Sequence, residues 1–300
     1  MRIATFGILA GLCLGSLTPV RAADLDFSAL RGGSYDAPVA AAGNWDGAYF
    51  GAHGGWSSAN LGFGNVFQPM VANYTRALAV ETALNVSTLL RPQSVRRDTG
   101  SFGAYAGLNI QYDEFIFGGE IDYTYLGLTG RTTDFIGRSI VTDGMYRVAV
   151  LDGSAATKIE DYATVRARFG YDAGNFMPFV TGGFAVGRAQ IADRVGVQLG
   201  EYDQATYRSN LGSATPAYVF NSGYKVFDQA NPGNAVLASP VVLSRTKERI
   251  VGGLAAGAGL EFALTANILL RGEYQYVMFD DFDGHKSHIN TVRGGAAVKF

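Results

Sequence analysis

Eight charged residues stand where charge is least expected. Glu120 and Asp122 lie two apart in "FIFGGEIDYTY" (115–125), and Arg166 and Arg168 two apart in "YATVRARFGY" (162–171). Glu261, the pair Arg271 and Glu273, and Arg293 interrupt runs otherwise rich in Gly, Ala and aliphatic residues. Carboxylates and guanidiniums so placed can neutralise one another. A second cluster, "DDFDGHKSH" (280–288), offers Asp280, Asp281, Asp283, His285 and His288 to a metal. It lacks the third ligand before the Gly and the distal Glu of an EF-hand. Its expected form is a solvated loop, with a loose cation site as the other reading. Three histidines, at 53, 285 and 288, give an enzyme little to build with. His53 falls on an inward phase, where a hydrogen-bonded, space-filling role is expected over a proton-active one.

The elements that carry these residues have period two. Phe102, Ala104, Ala106, Leu108, Ile110 and Tyr112 alternate with smaller and polar residues. Phe115, Phe117, Gly119, Ile121, Tyr123 and Tyr125 alternate with a set that contains Glu120 and Asp122. Only Asp113-Glu114 separates the two runs, the length of a hairpin turn. The same phase rule puts Ala163, Val165, Ala167 and Phe169 opposite Arg166 and Arg168.

The stretch 251–270, "VGGLAAGAGLEFALTANILL", has the length and apolarity of a membrane helix. Its glycines each lower helix propensity by roughly 1 kcal/mol, and a helix would strand Glu261 in mid-span. A hairpin turning at Thr265-Ala266-Asn267 instead puts Glu261 on one side with Arg271 and Glu273. With "WDGAYFGAHGGW" (45–56), "FMPFVTGGFAVG" (176–187) and "NTVRGGAAVKF" (290–300), eight strands of about 9–13 residues emerge, the span of a tilted strand across a bilayer.

The fold class expected is all-β, an eight-stranded antiparallel transmembrane up-and-down β-barrel with long extracellular loops. Residues 1–22 read as a cleaved signal peptide, 23–44 as a periplasmic linker and 45–300 as the barrel. Long loops are expected at 57–100, 127–160, 188–249 and 277–289. Two aromatic girdles are expected. Tyr112, Phe115, Tyr171, Phe176, Phe262 and Phe300 mark the short-turn end. Trp56, Phe102, Tyr123, Tyr125, Tyr162, Tyr274, Tyr276 and Phe279 mark the long-loop end.

A charge facing lipid at the midplane costs roughly 2–4 kcal/mol for Arg, so all eight charges must point inward. Eight strands leave an interior just wide enough for side chains. Glu120 and Asp122 are therefore expected to pair with Arg166 and Arg168, and Glu261 and Glu273 with Arg271 and Arg293, as a salt-bridged plug. The alternative is a wet channel, with room left by the inward glycines 103, 107, 253, 257 and 259. The single cysteine, Cys13, leaves with the signal, which excludes disulfides and thiolate-bound zinc. Loss of Arg2 and Arg21 leaves 22 basic against 26 acidic residues, a net charge of −4 with no basic tract for nucleic acid.

Taken together, "WDGAYFGAHGGW", "ATVRARFGY", "PFVTGGFAVG", "GAGLEFAL", "LRGEYQY" and "VRGGAAVKF" resemble the small OmpA-like outer-membrane barrels of alphaproteobacteria, the porin-family or outer-membrane surface-antigen group. The resemblance implies roles in envelope integrity and surface interaction rather than catalysis, with no cofactor. It implies insertion by the outer-membrane barrel assembly machinery, which reads a last strand ending in an aromatic, here Phe300. It also implies contact with outer-membrane lipid and lipopolysaccharide and loop-mediated surface partners. A small passive porin-type channel is the other function it admits. The loops 57–100 and 188–249 are long for the group.

Overall fold

A computed structural model describes residues 44–300. The expected signal peptide 1–22, and the expected linker save Asn44, lie outside the described residues. Eight strands close one antiparallel ring. They are β1 (Gly47–Gly62), β2 (Val95–Tyr112), β3 (Phe115–Thr142), β4 (Met145–Tyr171), β5 (Phe176–Asp203), β6 (Val241–Ala263), β7 (Ile268–Phe282) and β8 (His285–Lys299). Each pairs with its sequence neighbours, and β1 pairs with β8 from Tyr49↔Lys299 to Gly62↔Lys286, which closes the ring. Closure removes the unpaired edges that lipid could not satisfy.

The strands are longer than the alternation predicted. β3 has 28 residues, where about 9–11 cross a bilayer. The expected loop 127–160 is instead the upper part of a β3–β4 hairpin, turned at Asp143-Gly144. The expected loop 277–289 is a β7–β8 hairpin, turned at Asp283-Gly284. In both turns Asp and Gly have positive φ (53° and 75°; 58° and 90°), the conformation that Asp-Gly supports in two-residue hairpins. Of 188–249, the first sixteen residues extend β5 and the last nine begin β6, so the true loop is 204–240. β1 and β2 likewise shorten 57–100 to 63–94.

The tall end has its own hydrophobic core. Leu126, Leu128, Leu151, Ile159, Ile191, Val195 and Val197 point inward, while Arg131, Thr133, Gln190 and Arg194 on the same strands are exposed. Segment 63–94 fills the mouth. Its helices α1 (Gln68–Thr75) and α2 (Ala79–Leu84) are short, and Phe63, Val66, Phe67, Val71, Val80, Val86 and Leu90 are buried in that core. Glu81 ties the segment together, accepting from Thr75 Oγ1 at 2.6 Å and Ser87 Oγ at 2.5 Å.

Two aromatics expected in the outer girdle are inside. Tyr162 and Phe279 are each 1% exposed, because their phase is inward and both join the interior core. Trp56, Phe102, Tyr123, Tyr125 and Tyr274 face outward.

Candidate functional site: the charged interior

The eight charges reach the lumen from five strands: Glu120 and Asp122 from β3, Arg166 and Arg168 from β4, Glu261 from β6, Arg271 and Glu273 from β7, and Arg293 from β8. None is more than 5% exposed. Four carboxylates face four guanidiniums, so the cluster is formally neutral.

The pairing follows the width of the barrel more than strand adjacency. Arg166 Nη2 donates to Glu120 at 2.5 Å, as neighbouring strands predict, but its Nη1 crosses to Glu273. Arg168 lies 3.8 Å from Glu120 and 2.7 Å from Glu261. Arg271 is 2.6 Å from both Glu261 and Glu120. Arg293 meets Glu273 at 2.9 Å and Asp122 at 2.8 Å. Asp122 thus pairs with Arg293 and with His53 (3.0 Å), not with the expected arginines of β4. An arginine side chain spans much of so narrow a lumen, so a partner on the opposite wall competes with one beside it. The two expected groups of charges form one network.

Neutral groups complete it. Tyr49 donates its hydroxyl to Glu120 at 2.8 Å and accepts from Arg168 at 3.1 Å. The guanidinium of Arg168 lies 4.0 Å from the Phe179 ring centroid, and that of Arg271 4.0 Å from Tyr105, within cation–π range. The inward glycines leave space that these side chains occupy. A Cβ at Gly257 would lie 2.8 Å from Glu273 Oε1 and from Thr181 Oγ1, and one at Gly103 2.8 Å from His53 Nε2. The Tyr49 ring packs over Gly107 and the Phe179 ring over Gly259.

The network is closed at both ends. Towards the short turns lies a cluster of Trp45, Tyr49, Tyr105, Ile116, Met177, Leu269 and Ala297. Trp45, 1% exposed, donates Nε1–H to Asp172 at 3.1 Å and its backbone N–H to Gln111 at 2.8 Å. Towards the tall end lies the apolar core with segment 63–94 in its mouth. Phe300, the other residue singled out in the sequence, is 80% exposed, and its backbone N–H donates to Ala48 at 2.9 Å.

A second polar chain in the tall end was not foreseen. His285, expected in a solvated loop, is fully buried. Its Nδ1 is 2.6 Å from Thr157 Oγ1 and its Nε2 3.2 Å from Asp193. Asp193 also accepts from Arg245 at 2.6 Å, and Arg245 donates to the carbonyl of Val66 at 3.3 Å. These residues tie β4, β5, β6 and β8 to the mouth segment. The Asp-Gly turn at 283–284 was the available signal, since it puts His285 at the head of a strand with an inward phase. His288 stacks on Tyr276, away from His285. Among the described residues no cluster of His, Cys, Asp or Glu has the arrangement of a metal site.

No family model matches the chain. It is similar to the 31 kDa outer-membrane immunogenic protein of Brucella melitensis, with 26% identity over 310 residues that cover 98% of both chains. It is similar to the 25 kDa outer-membrane immunogenic protein of Brucella ovis, with 26% identity over 209 residues, 69% of this chain and 67% of that one. Among solved structures, OprG of Pseudomonas aeruginosa shares 10% identity at a TM-score of 0.35, covering 85% of this chain and 97% of the other. That score is too low to add to what the strand pairing shows. The chain is an eight-stranded β-barrel of the bacterial outer membrane, similar along nearly its whole length to the outer-membrane immunogenic proteins of Brucella.

Proposed function

We propose that this barrel is a sealed structural post that stands its tall end outside the cell and neither conducts nor catalyses. The observation that carries this is a lumen filled in sequence by Trp45, the charge network and the apolar core under segment 63–94. Buried ion pairs alone are weak evidence for stability, because desolvation offsets much of their attraction. We read them here as a seal, because guanidiniums that hold carboxylates on opposite walls bridge the lumen where water would pass. The hydroxyl–imidazole–carboxylate chain of Thr157, His285 and Asp193 has a geometry seen in hydrolases, yet Phe63 and Phe282 pack on the imidazole and close it off. A nucleophile without access to substrate performs no turnover.

The Brucella relatives are named as immunogenic. Applied to this chain, that fits exposed hairpins rising beyond the outer girdle. Lipopolysaccharide is the lipid we place against Trp56, Tyr123 and Tyr125. The assembly machinery is the partner we assign to the last strand and Phe300. Single-channel recording of the purified protein in planar bilayers tests the sealed reading, with no steady current expected. Steady ohmic conductance would overturn it in favour of a small passive porin.

A further inference from the structure

Above the outer girdle β3 and β6 each have a long edge without a neighbour, and β2 a shorter one from Val95 to Ser101. β3 pairs with β2 only as far as Tyr125↔Phe102, but with β4 to Thr142↔Met145. β6 pairs with β7 only as far as Gly253↔Phe279, but with β5 to Val241↔Val197. Among the described residues, no backbone–backbone hydrogen bond from another element reaches either long edge, and the Thr99 hydroxyl of β2 donates to the Leu126 carbonyl at 3.3 Å, at the foot of the β3 edge.

The two long edges are treated differently. That of β6 is guarded. Arg245, Lys247 and Arg249 gather round Asp283 of the β7–β8 turn at 3.7, 3.9 and 3.1 Å, and Pro240 precedes the strand. Charge and proline are the usual means of blunting an edge. On β3, residues 137–141 are exposed without a break, and Phe135 is 68% exposed. Among the described residues, the one hydrogen bond onto the backbone of 137–141 from a side chain is that of Arg138 to the Gly137 carbonyl, at 3.1 Å.

Register decides which groups are free. The two-residue turn Asp143-Gly144 makes Thr142 and Met145 the bonded closing pair. Even-numbered residues of β3 therefore bond to β4. Phe135, Gly137, Ser139 and Val141 each direct one N–H and one C=O away from the sheet.

We propose that this edge takes up an extended segment of another protein as an added strand. The ladder of free backbone groups supplies binding, and the side chains select. Phe135 and Val141 on the outer face, with bare Gly137 between them, fit a segment with β-branched or apolar residues on that face. Arg131 and Arg138 favour acidic or neutral residues opposite them. A second copy is a poorer occupant. Two barrels in one membrane run β3 in the same direction, so self-pairing is parallel and sets these arginines against each other. Pairing with a neighbour's β6 meets the cations Arg245, Lys247 and Arg249. The biological role of the edge rests on the reading that the tall end faces outside.

The test is amide hydrogen exchange on the purified full-length barrel in detergent micelles. The probe is a short synthetic peptide of alternating Val and Thr with Glu at each end. Without peptide, the amides of 135, 137, 139 and 141 should exchange at least tenfold faster than those of 136, 138 and 140. With peptide, the odd positions should slow by at least tenfold and the even ones stay unchanged. Ser139→Pro, or Val141→Pro nearer the turn, removes an edge donor without breaking the β3–β4 ladder. Each should weaken peptide binding at least tenfold while leaving the unfolding midpoint in place. No protection at the solubility limit of the peptide, equal protection at odd and even positions, or full binding by both proline variants would overturn the proposal. The micelle assay reads the edge whatever the barrel conducts and whichever way it faces, so the sealed-post reading can fail independently.

Discussion

The lower and upper halves of this barrel share strands but reverse polarity. Between the girdles, Phe117, Ile121, Val165, Val180 and Leu254 face outward, and Glu120, Arg166, Arg271 and Glu273 face inward. Above them, Arg131, Thr133, Gln190 and Arg194 face outward, and Leu128, Leu151, Ile191 and Val195 face inward. The covalent strand runs through unchanged. What changes is the medium outside it. Lipid demands an apolar exterior and leaves polarity to the lumen. Water permits a polar exterior and an ordinary hydrophobic core. Each half is held by the kind of interaction that its exterior does not supply.

The comparison breaks most sharply at Arg166. It bonds Glu120 and Glu273 from opposite walls, and neither carboxylate can reach water. Arg166→Ala should cost roughly 3–5 kcal/mol through the uncompensated charge. The heat-induced mobility shift on cold-loaded gels should begin at a clearly lower temperature. Arg166→Met combined with Glu273→Gln should recover much of the loss, because it removes charge from both sides. If the single substitution is silent, the lower interior is wet, and the contrast between the halves is one of shape only.

In the upper half the matching change is Phe67→Ala. Phe67 is 1% exposed and packs over Gly153, where a Cβ would lie 2.8 Å from its ring. Losing a buried Phe side chain costs about 3 kcal/mol, somewhat less if segment 63–94 collapses into the gap. Protease should then cut within 63–94 while β1 to β8 stay intact. Conductance should not appear, since the charge network lies beneath. Gly153→Ala sharpens the point from the other side of the same contact. Its methyl group pushes on Phe67 and on Leu90 (3.1 Å), for about 1–2 kcal/mol and a milder gain in cleavage. Current through either variant would mean that the mouth segment, not the network, is the seal.

The same contrast explains what the sequence disclosed. Lower strands alternate apolar with small or charged residues, and hydropathy has period two, so eight crossings and all eight inward charges are readable. Upper strands alternate Leu128 with Thr129, Gly130 with Arg131 and Thr132 with Thr133. Their outer faces mix Arg131 and Thr133 with Phe135, Gly137 and Val141, their inner faces mix Leu128 with Gly130 and Thr132, and the stretch looks like a loop. Asp143-Gly144 and Asp283-Gly284 were the legible exceptions, each an Asp-Gly hairpin signal in what hydropathy took for unstructured chain. Partners within the network were legible by strand adjacency for Arg166–Glu120 and Arg271–Glu261. They were not for Arg293–Asp122 or Arg166–Glu273, because a contact across the lumen depends on barrel diameter, which no local pattern encodes. Trp45 as a stopper and segment 63–94 as a cap are tertiary choices of the same kind.

The smallest expected effect lies at the rim, where the upper half is held by charge rather than by core. Asp283 sits on the β7–β8 turn with Arg249 at 3.1 Å, Arg245 at 3.7 Å and Lys247 at 3.9 Å. Burial alone would raise its pKa. The hydrogen bond from Arg249 and the charges of Lys247 and Arg245 outweigh that and hold it below the ordinary carboxylate value. A lowered folded-state pKa means that the carboxylate stabilises the turn at any pH above its unfolded value, about 4. That contribution falls away as pH drops through the lower folded value. The side chain is 23% exposed and its partners partly so, which keeps the gain under about 1 kcal/mol. Amide exchange across 281–287, corrected for its intrinsic pH dependence, should show the turn loosening as pH falls below about 4 and through the lower folded-state value. The Asp283→Asn variant should be looser throughout and flat with pH, and added salt should shift the wild type towards it. A turn that stays equally closed at acid pH in both proteins would show that β7 and β8 hold the rim by their ladder alone. The cations along β6 would then serve only to blunt that strand's edge.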